Sequence, residues 1–251
     1  MLASGIYQPP VHRLLAMLVP KLRSLARQSH KLAHLLSVAA YRRALLRGVR
    51  AAVEHERTPL PDDLRTVLDV GANRGQFALV ASQRWPNARL VCFEPLPAPR
   101  GALTRVLRDN GRLRVLGIAL TDHAGTEELH VSRADDSSSL LPITARQVAA
   151  FPGTEEVHTL EVRTARLDEE VRPGSFERPA ALKIDVQGSE LAVLHGATGI
   201  LPELDGVEEA DHFVGQRLTG IELHERALDE DCTSASGLAQ RRSCGEDQVG
   251  L

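Results

Sequence analysis

Between Thr66 and Phe77 the chain reads TVLDVGANRGQF. Five strand-forming residues run into a turn with two glycines, Gly71 and Gly75, and an apolar helical pattern, GQFALVASQRW, follows up to Pro86. A strand that stops in a glycine turn and feeds a helix commits the chain to stacked strand and helix layers. The unit then repeats. ARLVCFEP is a second strand ending at Glu94 and Pro95, PAPRGALTRVLRDN a second helix stopped by Asn110-Gly111, and RLRVLGIAL a third strand. AALKIDV and SELAVLHGATGIL give a later strand and helix, and EELHVSR and HTLEVRTA alternate apolar and polar residues as further strands do. This alternation specifies an α/β fold with a doubly wound, mostly parallel sheet.

The chain has 251 residues, enough for one large domain with an extension. Aromatic residues are only 3%, so Leu, Val and Ala must fill the core. A formal charge of −3 gives no overall attraction to nucleic acid. Cys92, Cys232 and Cys244 show neither metal-ligand spacing nor a disulfide framework, and Cys92 sits in an apolar run that suits a buried thiol. With no apolar run near the ~20 residues of a membrane span and no signal-peptide shape, a reducing cytoplasmic setting is expected.

Residues 1–57 differ from the rest. Nine lysines and arginines precede Glu54, the first acidic residue. Leu14, Leu15, Leu18, Leu22 and Leu25 recur at helical spacing, as do Leu32, Leu35 and Leu36, so two or three amphipathic helices are expected, with Pro20 near a boundary. The plainer role is a cap on the main domain with a solvated basic face. The sharper one is peripheral contact with an anionic membrane or a lipid-linked substrate. TPLPDD, from Thr58, suits a linker into a main domain over 58–228. Residues 229–251 are polar and are expected to be disordered.

In open α/β sheets ligands bind at the carboxyl ends of the strands. The turn after Asp69 marks such an end, and the following helix offers N–H groups to a carboxylate or phosphate. Glu94 ends the next strand, where its carboxylate can accept both hydroxyls of a ribose. A dinucleotide wants G-x-G-x-x-G, but Asn73 stands at the second glycine, and Asp69 sets negative charge where a pyrophosphate would lie. S-adenosylmethionine carries an ammonium and a sulfonium and no phosphate, so the electrostatics favour it.

VLDVGANRGQFAL, VCFEPLP, GIALTDHAGTEELHV, SSSLL and LKIDVQGSELAVLHGA appear in the order seen in FkbM-type methyltransferases, which the chain resembles from about Thr66 to Asp205. The resemblance implies a Rossmann-like, S-adenosylmethionine-dependent O-methyltransferase. Its acceptor would be a hydroxyl of a glycan or related natural product. Position by position, it gives Asp69, Gly71, Ala72, Asn73 and Gly75 as a cofactor loop and Glu94, with Pro95, as the ribose ligand. Ala119 and Asp122 fall near the adenine, and Ser138 and Ser139 beside cofactor or substrate. Lys183, Asp185, Gln187, Gly188 and Glu190 fall at the active-site mouth, with Lys183, Gln187 and Glu190 toward the substrate.

Methyl transfer needs an acceptor oxygen held in line with the sulfur and relieved of its proton. Asp185, at a strand end before a glycine turn, is the leading candidate to orient or deprotonate it. Capping of the following helix is an equal claim on the same residue. His158, His195 and His212 are weaker candidates. No metal is assigned, because Asp185 has no evident co-ligands. After ILPELDGVE the sequence departs from the family pattern: LDGVEEADHFVGQ has the place of a strand but few apolar residues, and only TGIEL offers a later one. Two alternatives therefore stay open, a truncated or frame-altered, non-catalytic remnant, with or without S-adenosylmethionine binding, and, less favoured, an NAD-dependent oxidoreductase.

Overall fold

The computed structural model describes residues 28–209. The expected helices before residue 28, the TGIEL strand, His212, Cys232, Cys244 and the polar tail lie outside them. The fold is built on a five-stranded sheet in the order β3-β2-β1-β7-β8, every neighbouring pair parallel. Its strands are β1 (Thr66–Val70), β2 (Arg89–Phe93), β3 (Leu113–Leu116), β7 (Ala180–Ile184) and β8 (Gly206–Glu209). All five residues of β1 and all five of β7 are buried. Strands in a parallel sheet covered on both faces read as continuous apolar runs for this reason.

The two faces have separate cores. Leu68, Val70, Val91, Phe93, Leu182 and Ile184 point to one side, where they meet Val193, Leu194, Ile200 and Leu201. Val67, Leu90, Ala181 and Cys92 point to the other, under α2 (Gln76–Arg84) and α3 (Pro97–Val106). Cys92 is fully buried, as its apolar run predicts, and burial pushes its thiol pKa well up.

The N-terminal segment packs onto this second face. The chain is helical from 28 to 37, bends at Val38, and continues as α1 (Ala39–Leu45) and a 3-10 turn, Val53–Arg57. Leu35, Tyr41, Ala44, Val49 and Ala51 join Leu79, Val80 and Leu103 in one cluster. Of the expected apolar stripe, Leu35 is buried, but Leu32 and Leu36 are exposed. TPLPDD is no free linker: Thr58 and Leu60 are buried.

Three expectations shift. RLRVLGIAL is two strands, β3 and a short β4 (Ala119–Leu120), which belong to different sheets. The break falls at Gly117, where an added Cβ would stand 2.2 Å from the Arg100 guanidinium; that guanidinium donates to the Glu94 and Pro95 carbonyls. SELAVLHGATGIL is helical only over α6 (Glu190–His195), followed by turns and a 3-10 turn at Leu201–Glu203. LDGVEE, poor in apolar residues, does form a strand, β8. The alternating segments are strands, as expected, and the structure pairs them: β5 (Gly125–Ser132) and β6 (Glu156–Ala165) are antiparallel, and β4 lies parallel to β6. Residues 133–155, with α4 (Ala145–Ala150), connect the two, and α5 (Leu167–Glu170) follows β6.

Candidate active site

A cavity of about 410 Å³ opens over the carboxyl ends of β1, β2 and β7. That is within the ~300–1,000 Å³ typical of small-molecule sites. It lies where the strand order turns, with β2 on one side of β1 and β7 on the other. Its floor is Val70, Gly71 and Phe93; Ile118, Ala119, Leu120 and Leu129 make an apolar wall.

Gly71 is required by the sheet more than by a ligand. It has φ +72°, and an added Cβ would stand 1.9 Å from the Asp185 carbonyl oxygen. Gly75 does not line the cavity; it caps α2 in the left-handed region and faces Leu103. The amides of the turn are all committed inside the protein. Gly71 and Ala72 donate to the Phe93 carbonyl, Asn73 to Glu94, Arg74 to the Asn73 side chain and Gly75 to the Ala72 carbonyl. The turn thus lacks the open row of N–H groups that cradles a pyrophosphate. Asn73 itself holds φ +46°, a conformation that ordinary side chains resist.

Glu94 is a strongly perturbed group in the cavity wall. It is 5% exposed, and its two oxygens accept the amides of Asn73 at 2.7 Å and Leu96 at 2.8 Å. Burial pushes its pKa up to about 7, even though both amides pull it down; Asp69 and Asp135 add to the rise. A carboxylate has about four lone-pair sites, so two remain for hydroxyl donors. A ribose diol fits this carboxylate, and the apolar wall beside it fits a base.

Asp69 lies beneath the cavity and not on its surface. It is 1% exposed, and its Oδ1 stands 3.4 Å from Lys183 Nζ. Lys183 also reaches Asp185 Oδ2 at 3.3 Å. Burial works to neutralise this ammonium, but Asp69 and Asp185 outweigh it, and its pKa is raised. Asp185 lines the cavity; its Oδ1 accepts from the Gln187 side chain at 2.7 Å. Gln187, at φ +56°, lines it too.

Of the residues named from sequence, the cavity gathers Gly71, Ala72, Asn73, Glu94, Pro95, Ala119, Ser138, Ser139, Lys183, Asp185 and Gln187. Ser139 is buried and donates to the Gln187 carbonyl at 2.8 Å, which ties the β5–β6 connection to the loop after β7. Asp122 stands apart, exposed and bonded to His123. Glu190 accepts the Val186 and Gly188 amides and serves the turn before α6. His158 is exposed on β6, and neither it nor His195 lines the cavity. Two contributors escape sequence reasoning. Arg74 and Asp135, joined by Nε at 3.0 Å and Nη2 at 2.5 Å, close the rim between the glycine turn and the β5–β6 connection. Residues 48–52, with Glu54 and His55, form a further side from the basic segment. Only the amphipathic pattern there hinted at contact with the domain.

The sequence model of the family described as Methyltransferase FkbM domain matches residues 69–240. The 2-O-methyltransferase NoeI of Sinorhizobium fredii is 28% identical over 168 residues, covering 64% of this chain and 66% of that protein. The hexuronic acid methyltransferase AglP of Haloferax volcanii is 32% identical over 143 residues, 55% of this chain and 52% of its own length. The 31-O-demethyl-FK506 methyltransferase FkbM of Streptomyces tacrolimicus is 31% identical over 170 residues, 59% and 64% of the two chains. The chain thus spans slightly less than two thirds of NoeI and FkbM and about half of AglP. No helix among the described residues is long and apolar enough to cross a membrane.

Proposed function

Because the chain belongs to the FkbM methyltransferase domain family, we propose that it is an S-adenosylmethionine-dependent O-methyltransferase acting on a hydroxyl of a sugar or a related natural product. The observation that carries the cofactor is the pairing of Glu94 with a turn whose amides are all spent. A diol-accepting carboxylate beside an apolar wall suits a nucleoside. The absence of open amides from 71 to 75 disfavours a pyrophosphate, and with it a nicotinamide dinucleotide. Among the charged lining residues Glu54, Glu94, Asp135, Asp136 and Asp185 outnumber Arg50, Arg74 and Lys183, and this acidic excess favours a cationic ligand. The names of NoeI and FkbM, a 2-O-methyltransferase and a 31-O-demethyl-FK506 methyltransferase, support an oxygen acceptor, and that of AglP, a hexuronic acid methyltransferase, supports a sugar.

When bound, the cofactor supplies an electrophilic methyl on a sulfonium leaving group. The protein supplies position. Glu94 would hold the ribose, and Ile118, Ala119 and Leu129 would enclose the base. Asp185, fixed by Lys183 and Gln187, would accept from a neighbouring hydroxyl of the acceptor and so set the direction of the one that is methylated. Positioning of this kind is worth ~7–11 kcal/mol.

Calorimetry tests this directly. S-adenosylmethionine is expected to bind and NAD⁺ to give no heat; the reverse result ends the proposal. Glu94→Ala is expected to lose about 1–3 kcal/mol of cofactor affinity from unpaired ribose hydroxyls. Thermal unfolding of the same variant separates that loss from destabilisation by the two orphaned amides.

A further inference from the structure

One wall of the cavity is built by residues that precede the sheet in the chain, and it presents an imidazole. His55, in the 3-10 turn Val53–Arg57, lines the cavity. Its Nδ1 stands 2.5 Å from Glu208 Oε1, an oxygen that also accepts the Thr58 hydroxyl at 3.0 Å. Glu208 is 6% exposed and sits on β8 in register with Lys183, which is in register with Asp69 on β1. The ring meets Phe77 of α2 edge-on, with centroids 5.3 Å apart. A carboxylate only accepts, so the shared hydrogen belongs to Nδ1, and Nε2 keeps its lone pair. Nε2 has no hydrogen-bond partner among the described residues.

We propose that His55 is the catalytic base of this site, oriented by Glu208, and that it receives the proton of the acceptor hydroxyl. The inference rests on the methyl-transfer reading above. Asp185 is the poorer base, because Lys183 and Gln187 already engage both of its oxygens. Orientation by Asp185 and deprotonation by His55 divide the work. As the acceptor oxygen forms its bond to the methyl carbon, the carbon–sulfur bond breaks and its electron pair leaves with sulfur as a neutral thioether. The hydroxyl proton passes to Nε2, and Glu208 stabilises the imidazolium before the proton is lost to solvent. The charged groups that act on the ring are Glu208 from β8, Asp69 from β1 and Glu54 from its own turn, and Lys183 from β7 lines the same cavity. Such proton transfer contributes typically 10²–10⁴-fold.

Nitrogen-15 NMR on the wild-type protein reads the tautomer without any variant. The expected signature of the neutral ring is a protonated Nδ1 and a bare Nε2. A protonated Nε2 there overturns the proposal. Glu208→Gln is expected to mix the two tautomers; an unchanged signature removes Glu208 from the role. Turnover is read with methyl-labelled S-adenosylmethionine and methyl glucuronide as probe acceptor. His55→Gln is expected to lose 10²–10⁴-fold in kcat, together with the acidic limb of the rate–pH profile, while calorimetric cofactor affinity stays within about twofold. His158→Gln, exposed and outside the cavity, is expected to keep the wild-type rate. A His55→Gln protein that turns over normally but melts earlier makes the His55–Glu208 contact purely structural and overturns the proposal. Failure of S-adenosylmethionine to bind the wild type sinks the methyl-transfer reading instead. If the wild type binds cofactor but leaves the glucuronide unmethylated, that acceptor class is wrong, and the tautomer decides His55.

Discussion

Glu94 couples the cavity to pH. Its carboxyl is raised to about 7 from the ordinary 4.5, so folding favours its protonated form. The stability this gives is complete below about pH 4.5 and is lost as pH rises through 7, on the order of 3 kcal/mol in all. A bound diol donates to the ionised form and pulls the other way. Cofactor binding near pH 7 is therefore expected to release a proton, read as a buffer-dependent heat in calorimetry, and affinity should tighten between pH 6 and 8. A buffer-independent heat at pH 7 would mean that the diol does not reach Glu94. Lys183 makes a different test. Lys183→Met leaves Asp69 and Asp185 without their shared cation and is expected to cost about 3–5 kcal/mol in denaturant unfolding. Adding Asp69→Leu should restore part of that loss, because the buried charge goes with its partner.

The glycine turn was legible from its spelling because one short run carries a strand end, a left-handed turn and a helix start together. What the spelling hid is why Gly71 is glycine: the neighbour it must clear is the Asp185 carbonyl, 114 positions away in the chain. Gly71→Ala is expected to destabilise by more than ~1–3 kcal/mol, since strain at φ +72° adds to the clash. Long-range contacts of that kind also explain the split of RLRVLGIAL. An apolar run reads as one strand until Arg100, from α3, claims the space over Gly117. β8 was hard to see for the opposite reason, because half of its four residues are glutamates and one of them is buried against His55 and Thr58. His55 carried no signal at all, because its meaning depends on a strand 153 residues later. At the rim, Arg74→Ala opens the contact to Asp135. The expected result is faster cofactor release in stopped-flow, with stability changed by less than about 1 kcal/mol, as for other half-exposed pairs.

The molecule does not divide neatly where its composition does. The segment ahead of residue 58 buries Leu35, Tyr41, Ala44, Val49 and Ala51 against α2 and α3, and it also walls the cavity. A chain that starts at Thr58 is expected to lose at least ~5 kcal/mol of apolar burial, a large part of a typical domain's ~5–15 kcal/mol, and to purify as aggregate or as a non-binding form. A well-folded, cofactor-binding product would show that the segment is dispensable. Asp69, Lys183 and Glu208 stand side by side on neighbouring strands, acidic, basic, acidic. Side chains alternate faces along a strand, so sliding β7 by one position would swing Lys183 into the aliphatic layer with Leu68 and Phe93 and set Leu182 or Ile184 against Asp69. Burying an ammonium in hydrocarbon is prohibitive. The three charges therefore act as a key cut for a single alignment, and they hold the strand tips that form the pocket floor level with one another.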